Sequence, residues 1–239
     1  MKIISYLKKK YIRLQGSKNI LRFNYFIEKN FKDMKLGNIG FDFSIKPSRH
    51  FIVQEIINKK KYQSYLEIGT FHNELFNTIN CIRKVGVDPV SGGTVRKTSD
   101  KFFEKNKEYF DCIFIDGLHY YEQVKKDIKN SLNFLKPNGI ILIHDCLPNN
   151  HFEQAIPRCQ ATWNGDVWKA IVECRTLENI DTYTCLADEG IGVIKVQKNN
   201  NLLNLNLSNF KKLRYKDYYM NRESLMNIIS SEKLLDKIS

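Results

Sequence analysis

Acidic and small residues recur at the ends of short apolar runs: Glu67-Ile68-Gly69-Thr70, Asp88-Pro89, Thr98-Ser99-Asp100, Asp116-Gly117 and His144-Asp145. The first cluster lacks the further glycines that bring backbone amides against a pyrophosphate, because Gly69 is followed by Thr70, Phe71, His72, Asn73 and Glu74. That pattern disfavours a phosphate ligand. It suits a phosphate-free adenosine compound bearing positive charge, with Glu67 facing the charge and the turn at Gly69 and Thr70 allowing close approach. Asp88, 21 residues beyond Glu67, can accept two hydrogen bonds from ribose hydroxyls. Taken alone, its Asp-Pro pair could equally start a turn.

Chemistry on an acceptor hydroxyl needs a base. His119, three residues after Asp116, is the first candidate, because a near-neutral imidazole accepts a proton at pH 7. His119 could equally cap or pack at a helix start. His144 is the second candidate, although it ends an apolar strand and can be structural. Asp116 and Asp145 would end neighbouring strands, about 5 Å apart in a sheet, and could share a hard divalent cation such as Mg2+ that lowers the acceptor pKa. Otherwise Asp116 caps the following helix and Asp145 holds a loop. The irregular segment from Leu147 to Lys169 would cover the acceptor, with Trp163 as a stacking platform, Arg158 and Asn164 as polar contacts, and Trp168 in the core.

The elements that must carry these residues alternate as a parallel sheet with helices on both faces requires. Strands are expected at Tyr65–Gly69, Lys84–Asp88, Val95–Thr98, Asp111–Asp116 and Gly139–His144. In HYYEQVKKDIKNSLNFL, Val124, Ile128, Leu132 and Leu135 form one apolar face, and Pro137-Asn138-Gly139 supplies the stop. A short helix in GDVWKAIVECRT and a hairpin of Asp181–Ala187 and Gly190–Val196, turned by Asp-Glu-Gly, complete the sheet. Upstream, Ile3, Ile4, Leu7, Tyr11 and Leu14 recur at helical spacing among lysines; Gly37 to Pro47 reads as a linker and Arg49 to Lys60 as a helix. The tail is expected to be helical from Tyr218 to Lys237.

The expected organisation is a basic helical extension over residues 1–60, an α/β domain over 61–198 and a helical tail over 199–239. The net charge of +12 is uneven. Residues 1–35 carry ten Lys/Arg against two acids, residues 200–239 seven against four, and the remainder 21 against 20. The presumed core is therefore almost neutral, which argues against nucleic acid as its partner. Residues 1–15 could instead lie on an anionic membrane or dock on the domain itself. No run is long and apolar enough to span a membrane, and MKIISYLKKK lacks the features of a secretion signal, so a cytoplasmic protein, membrane-peripheral at most, is expected. Six scattered cysteines form no zinc or disulfide pattern.

In YLEIGT, VGVDPV, TSDKFF, DCIFIDGLHYYEQVKKDI, LKPNGIILIHD and WNGDVWKA, taken in order over about residues 50–197, the chain resembles class I S-adenosylmethionine-dependent methyltransferases. It is most similar to the bacterial branch found in sugar and polysaccharide pathways. The resemblance implies a Rossmann-like doubly wound seven-stranded sheet of order 3-2-1-4-5-7-6, with the last strand antiparallel. It implies S-adenosylmethionine as cofactor, with Glu67 and Gly69 toward the methionine end, Thr70 also among the cofactor-binding residues, Asp88 at the ribose, Ser99 and Asp100 at the adenine, and Asp116 at the cofactor or a metal. Similar carboxylate pairs occur in metal-dependent macrolide-sugar and catechol O-methyltransferases. Here Cys146 departs from that pattern, following Asp145 where those enzymes commonly carry another oxygen ligand.

The expected function is O-methylation of a sugar or other small hydroxylated acceptor, in surface-glycan or natural-product biosynthesis. A small-molecule or glycan acceptor is the expected partner, and a homo-oligomer is compatible with this reading. The alternatives are an RNA methyltransferase or nucleic-acid-binding protein using the basic ends, or a non-catalytic scaffold.

Overall fold

The computed structural model describes residues 36–158 and 160–238. The basic helix expected near the amino terminus lies outside them, as does Cys159. The first long element is α1, Arg49–Lys60, the same residues as expected; Ser48 caps it by accepting from Phe51 N, and Lys61 closes it in a left-handed conformation. There follow β1 (Ser64–Ile68), α2 (Glu74–Thr78), β2 (Arg83–Val87), α3 (Ser99–Lys105), β3 (Phe110–Ile115), α4 (Tyr121–Asn133) and β4 (Leu135–Ile143). The chain continues through α5 (Trp168–Cys174), β5 (Ile180–Cys185), β6 (Ile191–Val196), α6 (Tyr215–Met226), β7 (Ile228–Ile229) and α7 (Ser231–Lys237).

The strands form one sheet in the order β2-β1-β3-β4-β6-β5-β7. β1 to β4 are parallel, and β6 runs antiparallel to both β4 and β5. Successive side chains on a strand face opposite ways, and the core divides accordingly. Tyr65, Cys112, Phe114, Ile140 and Leu142 meet Ile52, Val53, Ile56 and Ile57 of α1 and Leu234 of α7 on one face. Leu66, Ile68, Ile113, Ile115, Ile141 and Ile143 meet Phe102, Val124, Ile128, Trp168 and Tyr218 on the other. With both faces covered, the central strands need apolar residues at every position, which is why they read as continuous runs.

Three local expectations are corrected. The strand expected at Val95–Thr98 is a single bridge from Val95 to Val87, because Gly92 and Gly93 take positive φ and Thr98 is occupied in capping α3. Helix α4 stops at Asn133, before the proline, and Leu135 already pairs with Phe110; Asn138 absorbs the ensuing irregularity at φ +63. The tail is two helices rather than one. Asn227 turns left-handed and Ile228–Ile229 add to the sheet edge, where Asn227 O and Ile229 O accept the otherwise unpaired amides of Thr184 and Leu186.

The segment from Gly37 to Pro47 is docked rather than a free linker: Phe41 exchanges hydrogen bonds with the Asn149 side chain, and Ile39 N donates to Asn149 O. No helix among the described residues is long and apolar enough to cross a membrane.

Candidate active site

A cleft of about 700 Å³ opens at the carboxyl ends of β1, β2 and β3, and Glu67, Gly69, Thr70, Asp88, Ser99, Asp100, Asp116 and His119 all line it. Gly69 N donates to Val87 O and Asp116 N to Ile68 O, each at 2.8 Å, so the first turn is stitched to both neighbouring strands. Glu67 is buried and accepts from Tyr65 Oη at 2.6 Å; burial, opposed by that bond and reinforced by the charge of Asp116, pushes its carboxyl up to about 7. Asp88 accepts from Phe71 N at 2.9 Å, Val90 N at 2.7 Å and Ser91 N at 3.0 Å. Burial disfavours its charge, but these amides and Arg96 outweigh that and hold it below the usual carboxylate range. Asp88 thus organises the loops around the cleft while lining it. Thr70 sits in the same turn with its side chain packed toward Gly86 and Gly93. Ser99 and Asp100 begin α3, where both bond Gln123 of α4 and Asp100 also pairs with Lys126 at 2.6 Å.

Below the cleft, Asp116, His119, His144 and Asp145 come together. His119 Nε2 lies 3.3 Å from Asp116 Oδ1, and its Nδ1 lies 3.1 Å from Asp145 Oδ2 and 3.0 Å from Trp163 O. His144 Nδ1 lies 3.3 Å from both Asp116 Oδ1 and Asp145 Oδ1. One donor atom each from Asp116, His144 and Asp145 fits within 4.8 Å of the others. Burial disfavours a charged His119, but the bond to Asp116 and the charges of Asp145 and Asp116 raise its pKa; for His144 the same carboxylates overcome burial by more. Asp116 is the converse: burial raises it, and the two imidazoles more than reverse this, so it stays ionised. Trp163 stacks on His119 at 5.2 Å, the Arg158 guanidinium lies 5.7 Å from the Trp163 ring centre, and Trp163 and Arg158 both line the cleft. Trp168 is fully buried against Tyr218. Asn164 is also fully buried, which removes it from the set of acceptor contacts; it bonds Asp145 and Glu189 instead. Cys146 turns into the core, with its Sγ toward Ile143 O, and offers nothing to the carboxylates.

Residues 43–146 match the model of a protein family described as a methyltransferase domain. Over that stretch the chain is similar to a methyltransferase domain. Solved structures similar to it include a Klebsiella pneumoniae protein assigned as an O-methyltransferase (13% identity, 82% of this chain and 96% of that one, TM-score 0.49). Others are an O-methyltransferase from Bacillus cereus in complex with S-adenosylhomocysteine (13%, 79% and 95%, 0.44) and the S-adenosylhomocysteine-bound Podospora anserina methyltransferase PaMTH1 (16%, 82% and 96%, 0.46). No curated protein matches the sequence.

Four residues not singled out in the sequence line this cleft or stand against its histidine–carboxylate cluster. Arg49, the first residue of α1, brings Nη1 to 4.0 Å from Asp116 Oδ2 and donates its backbone N–H to Asp188 Oδ2 at 2.6 Å. Asp188 and Glu189 come from the hairpin turn, whose residues were assigned only a connecting role; both take positive φ, at +35 and +58. Asp127 stands on the buried face of α4, lining the cleft, and bonds Gln123 at 3.0 Å. Its signal was available: an acid three residues from Val124 and next to Ile128 breaks an apolar stripe.

Burial, resisted by Ser99 and Gln123, pushes the Asp127 carboxyl up to about 6 from 3.8. A carboxyl whose folded pKa is raised penalises the folded state above that pKa, and the penalty fades as pH falls toward the unfolded value. Asp127→Asn should therefore raise the unfolding free energy at pH 7.5 by on the order of 2 kcal/mol, with the gain shrinking below pH 6 and gone near pH 4. Urea denaturation of both proteins across that range is the measurement; a gain independent of pH would remove ionisation as the cause.

Proposed function

We propose that this chain moves a methyl group from S-adenosylmethionine to a hydroxyl oxygen of a sugar or other small hydroxylated acceptor. The observation that carries the proposal is that an imidazole flanked by carboxylates, His119, shares one cleft with a glycine turn and two buried acids, Glu67 and Asp88. A volume of about 700 Å³ is in the range for a nucleoside-sized ligand with its acceptor. The donor chemistry fits the cofactor: Glu67 offers a buried carboxyl whose ionised form a positively charged ligand would favour, and Asp88 keeps acceptor capacity beyond its three amides. The cofactor, when bound, supplies a methyl group already activated by its sulfonium.

The chain's own residues do the remainder. Trp163 and Arg158 at the mouth, beside the exposed Phe71 and Leu118, offer a face and a charge to the acceptor. His119, held through Nδ1 by Trp163 O, presents an imidazole to take the hydroxyl proton. Asp116 and Asp145 would hold a divalent cation, which would supply Lewis-acid assistance and offset part of the carboxylate charge that raises the His119 pKa. A glycan or natural-product acceptor in the cytoplasm is consistent with this arrangement. The match to a methyltransferase domain lends no support to a nucleic-acid role.

Titration calorimetry with S-adenosylmethionine should detect binding, and Asp88→Asn should weaken it about 10- to 100-fold, the loss expected for hydrogen bonds to a charged acceptor. Asn keeps the side-chain shape and one acceptor oxygen, which can hold Val90 N and Ser91 N while the bond from Phe71 N is given up. Absence of binding by the wild type ends the proposal; unchanged affinity in the variant removes Asp88 from the ribose.

A further inference from the structure

Resting on the reading that Asp116 and Asp145 hold a divalent cation, we infer that His144 Nδ1 is a third ligand and that the centre selects a first-row transition ion over Mg2+. The tautomer of His144 decides its role. Its Nε2 lies 3.0 Å from Asp188 Oδ1, and a carboxylate only accepts, so Nε2 carries hydrogen. Arg49 Nη1 lies 3.3 Å from Nε2 and 3.5 Å from Nδ1, nearly equidistant from the two ring nitrogens, and its anionic partner is the Asp188 carboxylate 3.8 Å away. Asp188 is itself fixed by accepting the Arg49 backbone N–H.

Nδ1 faces two carboxylate oxygens, each 3.3 Å away, and a cation taking the place of a proton there would meet its lone pair. Three electron-rich atoms converge there, and only a proton or a cation among them makes the arrangement favourable. The spacing is close to the roughly 3 Å between adjacent donors on one six-coordinate ion with bonds near 2.1 Å. Behind the ring stands a carboxylate on the far nitrogen, the outer partner that orients a metal-bound imidazole. Asp145 is equally braced: its φ is +62, and the buried Asn164 amide donates to Oδ1 at 3.1 Å. His119 contacts the same carboxylates from another side and stays available to the acceptor.

An imidazole in the donor set sets the preference. Mg2+ favours oxygen and gives up water reluctantly, whereas Mn2+, Co2+ and Zn2+ bind nitrogen in increasing order up the series. The position of Cys146, turned into the core, leaves His144 as the nitrogen donor that distinguishes this centre from a carboxylate-only one.

Titration calorimetry of the full chain with MnCl2 and with MgCl2, and pulsed EPR of the Mn2+ form, test this directly. The wild type should bind Mn2+ at least tenfold more tightly than Mg2+, with nitrogen coupling in the EPR signal. His144→Asp should abolish that coupling and narrow the preference. Asp188→Asn, which keeps the ring and removes its carboxylate, should weaken Mn2+ about 10- to 100-fold and serves if His144→Asp fails to fold. Equal affinities, or Mn2+ bound without nitrogen coupling, overturn the inference and leave a carboxylate cation site standing. No binding of either ion removes both, and cofactor titration then shows whether methyl transfer survives without a metal.

Discussion

Replacing His119 by Gln lowers kcat for methyl transfer by about 10²- to 10⁴-fold while leaving cofactor affinity within a few-fold. The size follows from what the imidazole does. A hydroxyl attacking the sulfonium carbon must lose its proton as the bond forms, and among the groups lining the cleft His119 alone joins imidazole basicity to contact with both carboxylates. Gln keeps a polar group that can donate toward Trp163 O, so the stacked loop is not released, but an amide takes up no proton at neutral pH. Steady-state assays of S-adenosylhomocysteine release, paired with calorimetry, separate the two effects. A loss of less than tenfold in kcat would leave His119 as packing beneath Trp163.

The fold was largely legible because buried parallel strands and their helices write themselves as apolar runs and helical stripes. Arg49–Lys60 was read as a helix to the residue, and the structure adds its Ser48 cap. What escaped notice was governed by contacts distant in sequence. Nothing near Ile228–Ile229 announces that Thr184 and Leu186, far upstream, lack partners, and the two isoleucines sit as well in a helix pattern as in an edge strand. The strand ends were identifiable for the same reason as the strands, since polar residues closing apolar runs mark the rim where ligands bind. The groups brought from outside that rim were not. Arg49 reads as a surface helix start, and Asp188 and Glu189 read as turn formers, because a turn accepts Asp and Glu whether or not they point at anything. Asn164 shows the opposite error. A polar residue in an irregular segment suggests solvent or substrate, and only the folded chain shows it buried against Asp145.

Gly69→Ala should destabilise the chain by more than about 3 kcal/mol and abolish cofactor binding in whatever fraction stays folded. Two independent penalties meet at this residue. Its φ of +89 is a conformation that a Cβ disfavours, which by itself costs about 1–2 kcal/mol. The added Cβ would also lie 2.1 Å from Asp116 O and 2.6 Å from Gly117 Cα, and these are backbone atoms that cannot swing aside. Relief requires parting the ends of β1 and β3, which are held in register by Ile68↔Ile115 and by Asp116 N donating to Ile68 O. Glu67 and Asp116 hang from those same ends, so the binding acid and the carboxylate partner of both histidines would move together. Gly40 supplies the control: its φ is +86, but nothing lies within 4 Å of its Cβ, and it is exposed. Gly40→Ala should cost only the conformational part, about 1 kcal/mol, with cofactor affinity retained. Urea denaturation of the two variants isolates the steric contribution as their difference. If both lose the same small amount, the close approach of β1 to β3 at Gly69 is not what shapes the floor of the cleft.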